Sequence, residues 1–493
     1  MTLHANAQNV LVSTGALFEG EPFLAVNPNN NQHLVAAWMG FQFNQKIVIK
    51  SCFSLDGGNT WSTPNWQSHQ QSGNTSADVS LAFNSNGALF MSYVDYDNVN
   101  FSNGNIICRK SLDGGNSWGI AVVVCDVSIC PDQLCIDRPW MTINPFNDEI
   151  VVTSMNADQP SLIQAPYHPY ISTSTDNGNS FTTQILDNVP FLSGSVINQP
   201  MPSPAFSNDG IFMAIYPSYE PSQSLLPRLI EVQKNPGLNP FSYQMAYQGV
   251  GFGTSNDTLK SAPHLALDPN NSGRAAYLFV TGAFGDPDIA LIEKNNSIWS
   301  APQRINEDAQ NNGVVQDLVW ADYDNDGDLG ICWRDRRMGS PSTYQTSSEI
   351  YCRIKKAEVW EPEFVISPIV AHDSILLENG NDFLNVQFQN NYLYTIWGDV
   401  RTGTLKIYLN KFNQNTGSIS LHEIPTSNTF YPNPSTRFFQ VPINLQSKPY
   451  YIVDSNGQLI INGNLSEQID LNHVAKGSYF LFVEGDQYKL LKN

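Results

Sequence analysis

The chain has 493 residues, with 45 Asp plus Glu against 25 Lys plus Arg and a formal charge of −20. That length exceeds one ordinary core of roughly 100 to 200 residues, so several domains or a repeat architecture is required. The negative charge repels phosphate backbones and anionic lipid, which argues against nucleic acid as a partner, and no apolar run approaches the ~20 residues of a membrane span.

The first eight residues lack a basic n-region and an apolar h-region, so Met1 reads as a trimmed or misassigned start and not as a signal peptide. Asn9 to Ser13 reads as an outer strand able to complete the last sheet of a closed ring. From there a pattern of apolar stretch, Asn/Asp/Gly turn and alternating strand recurs roughly every 45 to 60 residues. Its turns are Asn27 to Asn30, Asn84 to Gly87, Asn144 to Asn147, Ser207 to Gly210, Asp268 to Asn271, Asp322 to Asp328 and Gln389 to Asn391. A third strand and a turn into a fourth follow each hairpin. Four antiparallel strands per unit, repeated, describe an all-β, seven-bladed β-propeller, with six blades as the alternative if the divergent unit at 197–245 or the last unit folds differently.

The seven cysteines show no paired CxxC spacing for zinc. Disulfides are the better expectation: Cys130 with Cys135 across a tight loop, and Cys332 with Cys352 on neighbouring strands, with at least one thiol left over. The pattern stops after Ile424. Residues 1–424 form the propeller, 425–430 read as a linker, and 431–493 alternate short strands with Asn-Gly and Lys-Gly turns, as in a small Ig-like β-sandwich.

Three turns between third and fourth strands carry one motif: Ser54-x-Asp56-x-Gly58-x-x-Trp61, Ser111-x-Asp113-x-Gly115-x-x-Trp118 and Ser174-x-Asp176-x-Gly178-x-x-Phe181. Asp accepts N–H groups of its own turn, Gly supplies positive φ, and the aromatic packs over the hairpin. The motif resembles the Asp box, or BNR repeat, of the sialidase superfamily, which implies a structural role for Asp56, Asp113 and Asp176. In the tail, Tyr431-Pro432-Asn433-Pro434, Asp454 to Gly457, Lys476 to Tyr479 and Lys489 to Lys492 resemble the type A C-terminal sorting domain of type IX secretion cargo. That resemblance implies export to the medium or the outer-membrane cell surface and the secretion machinery as a partner.

Counting back from the hairpins puts Glu21, Asp78 and Arg138 at one equivalent position at the head of the innermost strands, on the face away from the three Asp turns. Gln316 is expected there too, with the non-ionisable Met201 and Ala262. Glu21, Asp78 and Arg138 are the catalytic candidates. Asp137, Arg336, Arg337 and Arg401 are candidates for substrate binding, because arginine holds carboxylates bidentately and a glycosidase needs a placed carboxylic acid. The alternative for the Trp333–Arg336 and Trp397–Arg401 segments is structural ion pairing. No Arg-Ile-Pro triplet precedes the first blade, which argues against exo-sialidase activity, and no tyrosine stands out as a nucleophile. Asp322, Asp324, Asp326 and Asp328 match the first half of a calcium loop, but Trp333 occupies the twelfth position; Ca²⁺ is a candidate and no cofactor is required. The expected function is binding or hydrolysis of an extracellular glycan or glycoprotein, with a non-catalytic adhesin or scaffold as the alternative.

Overall fold

The computed structural model describes all residues except 1–8, 16, 102, 129–134, 158–163, 191, 238–239, 250–261, 339–346, 368–370, 373–380, 416–417, 420–429, 431–432, 443–444, 455–456 and 484–485. The chain divides into two compact units, Met1–Ser420 and Leu421–Asn493. The expected linker, 425–430, lies, Phe430 apart, outside the described residues.

The first unit consists of seven antiparallel sheets, six of them with their four main strands paired in sequence order. Blade 1 is Glu19–Asn27, Asn30–Gln42, Lys46–Ser54 and Asn65–Trp66. The divergent stretch forms an ordinary blade 4 from Ser203–Phe206, Phe212–Ser218, Arg228–Lys234 and Ser242–Gln248, so the count is seven. Blade 7 is Asn385–Gln389, Tyr392–Asp399 and Lys406–Asn413, and it takes its outer strand, Val10–Leu11, from the beginning of the chain. Residues from the first strand of every blade line a single central cavity of about 340 Å³. Second strands sit between neighbouring sheets and are apolar on both faces: Leu34, Val35, Ala36, Ala37 and Trp38 are all fully buried. That explains why these segments read as continuous apolar runs and not as alternating ones.

The three Ser-x-Asp-x-Gly turns are built alike. In the second, Ser111 Oγ donates to Asp113 Oδ1 (2.9 Å) and accepts the Gly115 N–H (2.9 Å), while the Ser117 N–H and hydroxyl donate to the two Asp113 oxygens (2.8 and 2.6 Å). These donors favour the ionised carboxylate and lower Asp113 to about 2; the same set lowers Asp176 to about 2. Gly115 has φ +89, and a Cβ there would press on Val35 of blade 1 at 3.0 Å. The turn also meets the first hairpin of blade 1, where His33 Nε2 lies 2.9 Å from the Gly114 carbonyl oxygen. Each such turn is a bracket between consecutive blades at the hairpin end of the channel.

Cys332 and Cys352 are register partners joined by a disulfide. Cys130 lies outside the described residues; Cys135 Sγ is 3.1 Å from the buried Cys125 Sγ. The second unit packs a two-stranded sheet, Phe438–Gln440 with Gln468–Asp470, and a four-stranded sheet ordered Leu459–Asn464, Pro449–Asp454, Gly477–Val483, Asp486–Lys492. Its own core includes Phe439, Ile452, Leu481 and Leu490. Among the described residues there is no α-helix.

Ser111→Ala removes one hydroxyl bond and strands the Gly115 N–H, so it is expected to cost about 1–3 kcal/mol. The denaturant midpoint of the purified chain checks this: it should fall with an unchanged slope.

Candidate functional site

The innermost strands do not begin regularly. The ladder slips between Gly20 and Phe23, Ala77 and Ser80, Asp137 and Trp140, and Asp317 and Trp320. Inside these slips Glu21, Asp78, Arg138 and Leu318 have φ of 53°, 54°, 47° and 51°. A left-handed backbone at a side-chain-bearing residue costs about 1–3 kcal/mol and persists where surrounding structure enforces it. Here a bulge at the head of each strand re-aims one side chain. Blade 6, built from Gln316–Tyr323, Leu329–Asp335, Ser347–Lys356 and Val359–Trp360, therefore presents Leu318 at the equivalent position; Gln316, expected there, lies two residues earlier.

Three of the four re-aimed residues, Glu21, Asp78 and Arg138, line one pocket of about 360 Å³ together with Asp137, Asp382, Gln199 and Tyr96. Met39, Val94, Phe101 and Ile136 supply its apolar wall. Asp78 is the hub: its Oδ2 accepts the Arg138 backbone N–H (3.3 Å), and its carboxyl lies within hydrogen-bonding reach of both Glu21 and Asp137. Burial first, and the Asp78 charge second, push Glu21 and Asp137 well above the usual carboxylate range. Glu21 is 4% exposed, and among the described residues no donor reaches its Oε2. Arg138 Nη2 sits 3.7 Å from Asp382 Oδ2, its Nη1 lies 3.6 Å from Met201 Sδ, and the guanidinium stacks 5.0 Å over Phe383. The four neighbouring carboxyls hold the guanidinium above its ordinary pKa despite burial. Gln199 Nε2 donates to Asp137 Oδ2 (3.2 Å). Burial and the carboxyls push Tyr96 up, which is the reverse of activation as a nucleophile.

One layer below, Phe23, Trp140 and Trp320 on the inner strands pack with Phe383, which precedes the first strand of blade 7, at ring-centroid distances of 4.8–6.0 Å. Phe23, Trp140 and Trp320 line the central cavity, and the upper pocket shares no lining residue with it.

The remaining candidates lie elsewhere. Arg337 is held by Asp335 (2.7 Å) and Glu363 over the Tyr351 ring, and Arg401 by Asp399 over Tyr408, with Trp333 and Trp397 donating to the same two aspartates. Arg336 is 2% exposed with Nη2 3.8 Å from Asp317 Oδ2, an aspartate that also takes Arg334 bidentately (2.7 and 2.6 Å). Arg336, Arg337 and Arg401 thus brace blades 6 and 7 and do not line the pocket. The acidic hairpin does not converge either. Asp322 accepts the Tyr323 and Phe388 N–H groups, and burial pushes it up to about 7; Asp324 accepts those of Asp326 and Asp328, and Asp328 that of Ala357. Among the described residues no group of three or more His, Cys, Asp or Glu is placed to hold a metal.

Residues 429–493 match the family described as the secretion system C-terminal sorting domain. The chain is thus an exported protein, a seven-bladed propeller carrying the address of type IX secretion to the cell surface or the medium. Among the described residues no helix is long and apolar enough to cross a membrane. No curated protein matches the chain. Among solved structures it is similar to an α-L-arabinanase of Penicillium chrysogenum complexed with arabinobiose (14% identity, 84% of this chain and 99% of that one, TM-score 0.47). It is also similar to a protein of unknown function from Dyadobacter fermentans (14%, 67% and 94%, 0.44) and to a sialidase of Streptococcus pneumoniae (14%, 84% and 70%, 0.41). Identity this low says nothing of chemistry, and the site is read from its own residues.

Arg138→Met leaves the carboxyls to repel one another and is expected to cost about 3 kcal/mol. Without the cation, Glu21 and Asp137 rise further above their unfolded values, and an acid raised in the folded state loses stability as pH climbs through that interval. Denaturant unfolding should therefore show a larger deficit at about pH 8 than at about pH 5.

Proposed function

We propose that the upper pocket is a glycan-hydrolysing site displayed by an exported propeller. The observation that carries this reading is the carboxyl trio, in which Asp78 lies between Glu21 and Asp137 and raises both. Glycoside hydrolysis needs one carboxylic acid that keeps its proton near neutral pH and a second carboxyl on the other side of the bond. Glu21 is the proton donor: burial and the Asp78 charge favour its protonated form. Asp137, oriented by Gln199, is the second carboxyl, and it acts as base or nucleophile once it has given up its own proton. Asp78 is a positioning residue that sets the acidity of both, and Arg138 limits the charge so that the trio can coexist. Tyr96 supplies wall, not a nucleophile. The three Ser-x-Asp-x-Gly turns, read as Asp boxes, hold the blades at the opposite end.

The test is a panel of chromogenic glycosides and oligosaccharides with binding and turnover measured together. Glu21→Gln is expected to lower turnover by about 10²- to 10⁴-fold on whichever substrate the wild type cleaves. Asp78→Asn removes the charge that raises Glu21, so the alkaline limb of the pH–rate profile should move to lower pH. Binding without turnover by the wild type sinks the hydrolase reading in favour of a surface-binding scaffold. Separately, removal of 429–493 should leave the propeller inside the outer membrane, read by fractionation and by protease protection in intact cells.

A further inference from the structure

The pocket walls contain four acids, Glu21, Asp78, Asp137 and Asp382, and one base, Arg138. Counted formally, that is 1 − 4 = −3, and with Glu21 and Asp137 both protonated it is still 1 − 2 = −1. The guanidinium is already engaged: Asp382 lies at 3.7 Å, Met201 Sδ at 3.6 Å and the Phe383 ring at 5.0 Å. The other arginines on this face, Arg336, Arg337 and Arg401, pair with Asp317, with Asp335 and Glu363, and with Asp399. A substrate anion would thus enter a partly desolvated, net-negative cavity with, among the described residues, no uncommitted cation in its walls, and the chain's overall charge of −20 adds to the opposing field. Acidity alone would not make this a binding site. Glu21 does, because it is 4% exposed, lines the cavity, and has a buried Oε2 that no donor among the described residues reaches.

We infer that the pocket selects sugar units by charge: a unit bearing a free ammonium is held best, a neutral unit less well, and a unit bearing a carboxylate, sulfate or phosphate is refused. This rests on the reading that a glycan unit sits in the upper pocket, and it adds the charge of that unit. An ammonium would sit between Asp382 and the Glu21–Asp78 pair, taking up the surplus charge and donating to Oε2, the Glu21 oxygen turned away from the proton shared with Asp78. The same groups act against an anion, since a uronic or sialic acid carboxylate would face four acids and a guanidinium already engaged by Asp382.

The experiment measures binding by calorimetry and cleavage by reducing-end release for the full chain. The probes are chitosan oligosaccharides, neutral arabinan, xylan and mannan oligosaccharides, and anionic polygalacturonate oligosaccharides and sialyllactose, at low and high salt. Asp382→Asn, checked for folding by thermal unfolding, is run alongside. The expected order is ammonium over neutral over anionic. The ammonium preference should shrink about tenfold in Asp382→Asn and weaken with salt, while neutral binding is salt-independent. An anionic probe held or cleaved as well as the neutral ones overturns the inference and leaves the hydrolase reading standing. Ammonium binding unchanged in Asp382→Asn also overturns it, because the general acidic surface is then responsible. The expected order in binding with no cleavage supports the inference while removing the hydrolase reading, and a panel silent in both overturns the two together.

Discussion

Everything in the first unit depends on closing a ring. A sheet with an open edge invites pairing, and seven sheets around a channel leave one seam to be closed. Here the seam is closed by the chain's own beginning: Val10 and Leu11 pair with Leu409 and Tyr408, the Val12 N–H donates to the Ile407 carbonyl (2.9 Å), and the Ile407 N–H donates to Ser13 Oγ (2.9 Å). Arg401 reaches from the same blade to Asn9 Oδ1 (2.8 Å). The seam fixes the last blade against the first, and with it the distance between Asp382 before blade 7 and Glu21 in blade 1. The pocket draws on residues more than three hundred positions apart, and it exists only if the ring is closed.

Closure also explains the cost accepted at the strand heads. Inner strands of a propeller stand close around the channel, and a regular pleat would send alternate side chains into the neighbouring blades. The bulges at Glu21, Asp78 and Arg138 break that alternation at one level of the channel. The aromatic layer beneath, with Trp140 at its centre, gives the guanidinium of Arg138 a ring to stack on, through Phe383. Strain, burial and mutual charge repulsion are concentrated in the same few residues, and Arg138 is the counterweight.

Much of this was legible in the sequence, and the rest was hidden for identifiable reasons. Turn chemistry is local, so Asn27, Asn84 and Asn144 marked the hairpins, and counting back six positions reached Glu21, Asp78 and Arg138. The same count fails in blade 6 because its hairpin pattern runs on through Asp324, which placed Gln316 where Leu318 stands. Asp382 was invisible to it: the seventh hairpin is marked only by Gln389 to Asn391, and the acid falls one residue before the equivalent position. Arg336, Arg337 and Arg401 looked like ligands because composition shows charges and not their partners. Only the fold reveals that Asp335 and Asp399 each take an indole N–H and a guanidinium at once. The export module was the easiest part to read, since its motifs are short, ordered and contiguous.

The aromatic layer has one more consequence. The rings of Phe23, Trp140, Trp320 and Phe383 come from four widely separated stretches of the chain and pack on one another. They tie together parts of the ring that share no strand pairing, so truncating Trp140, which touches the other three, would loosen the ring at several places at once.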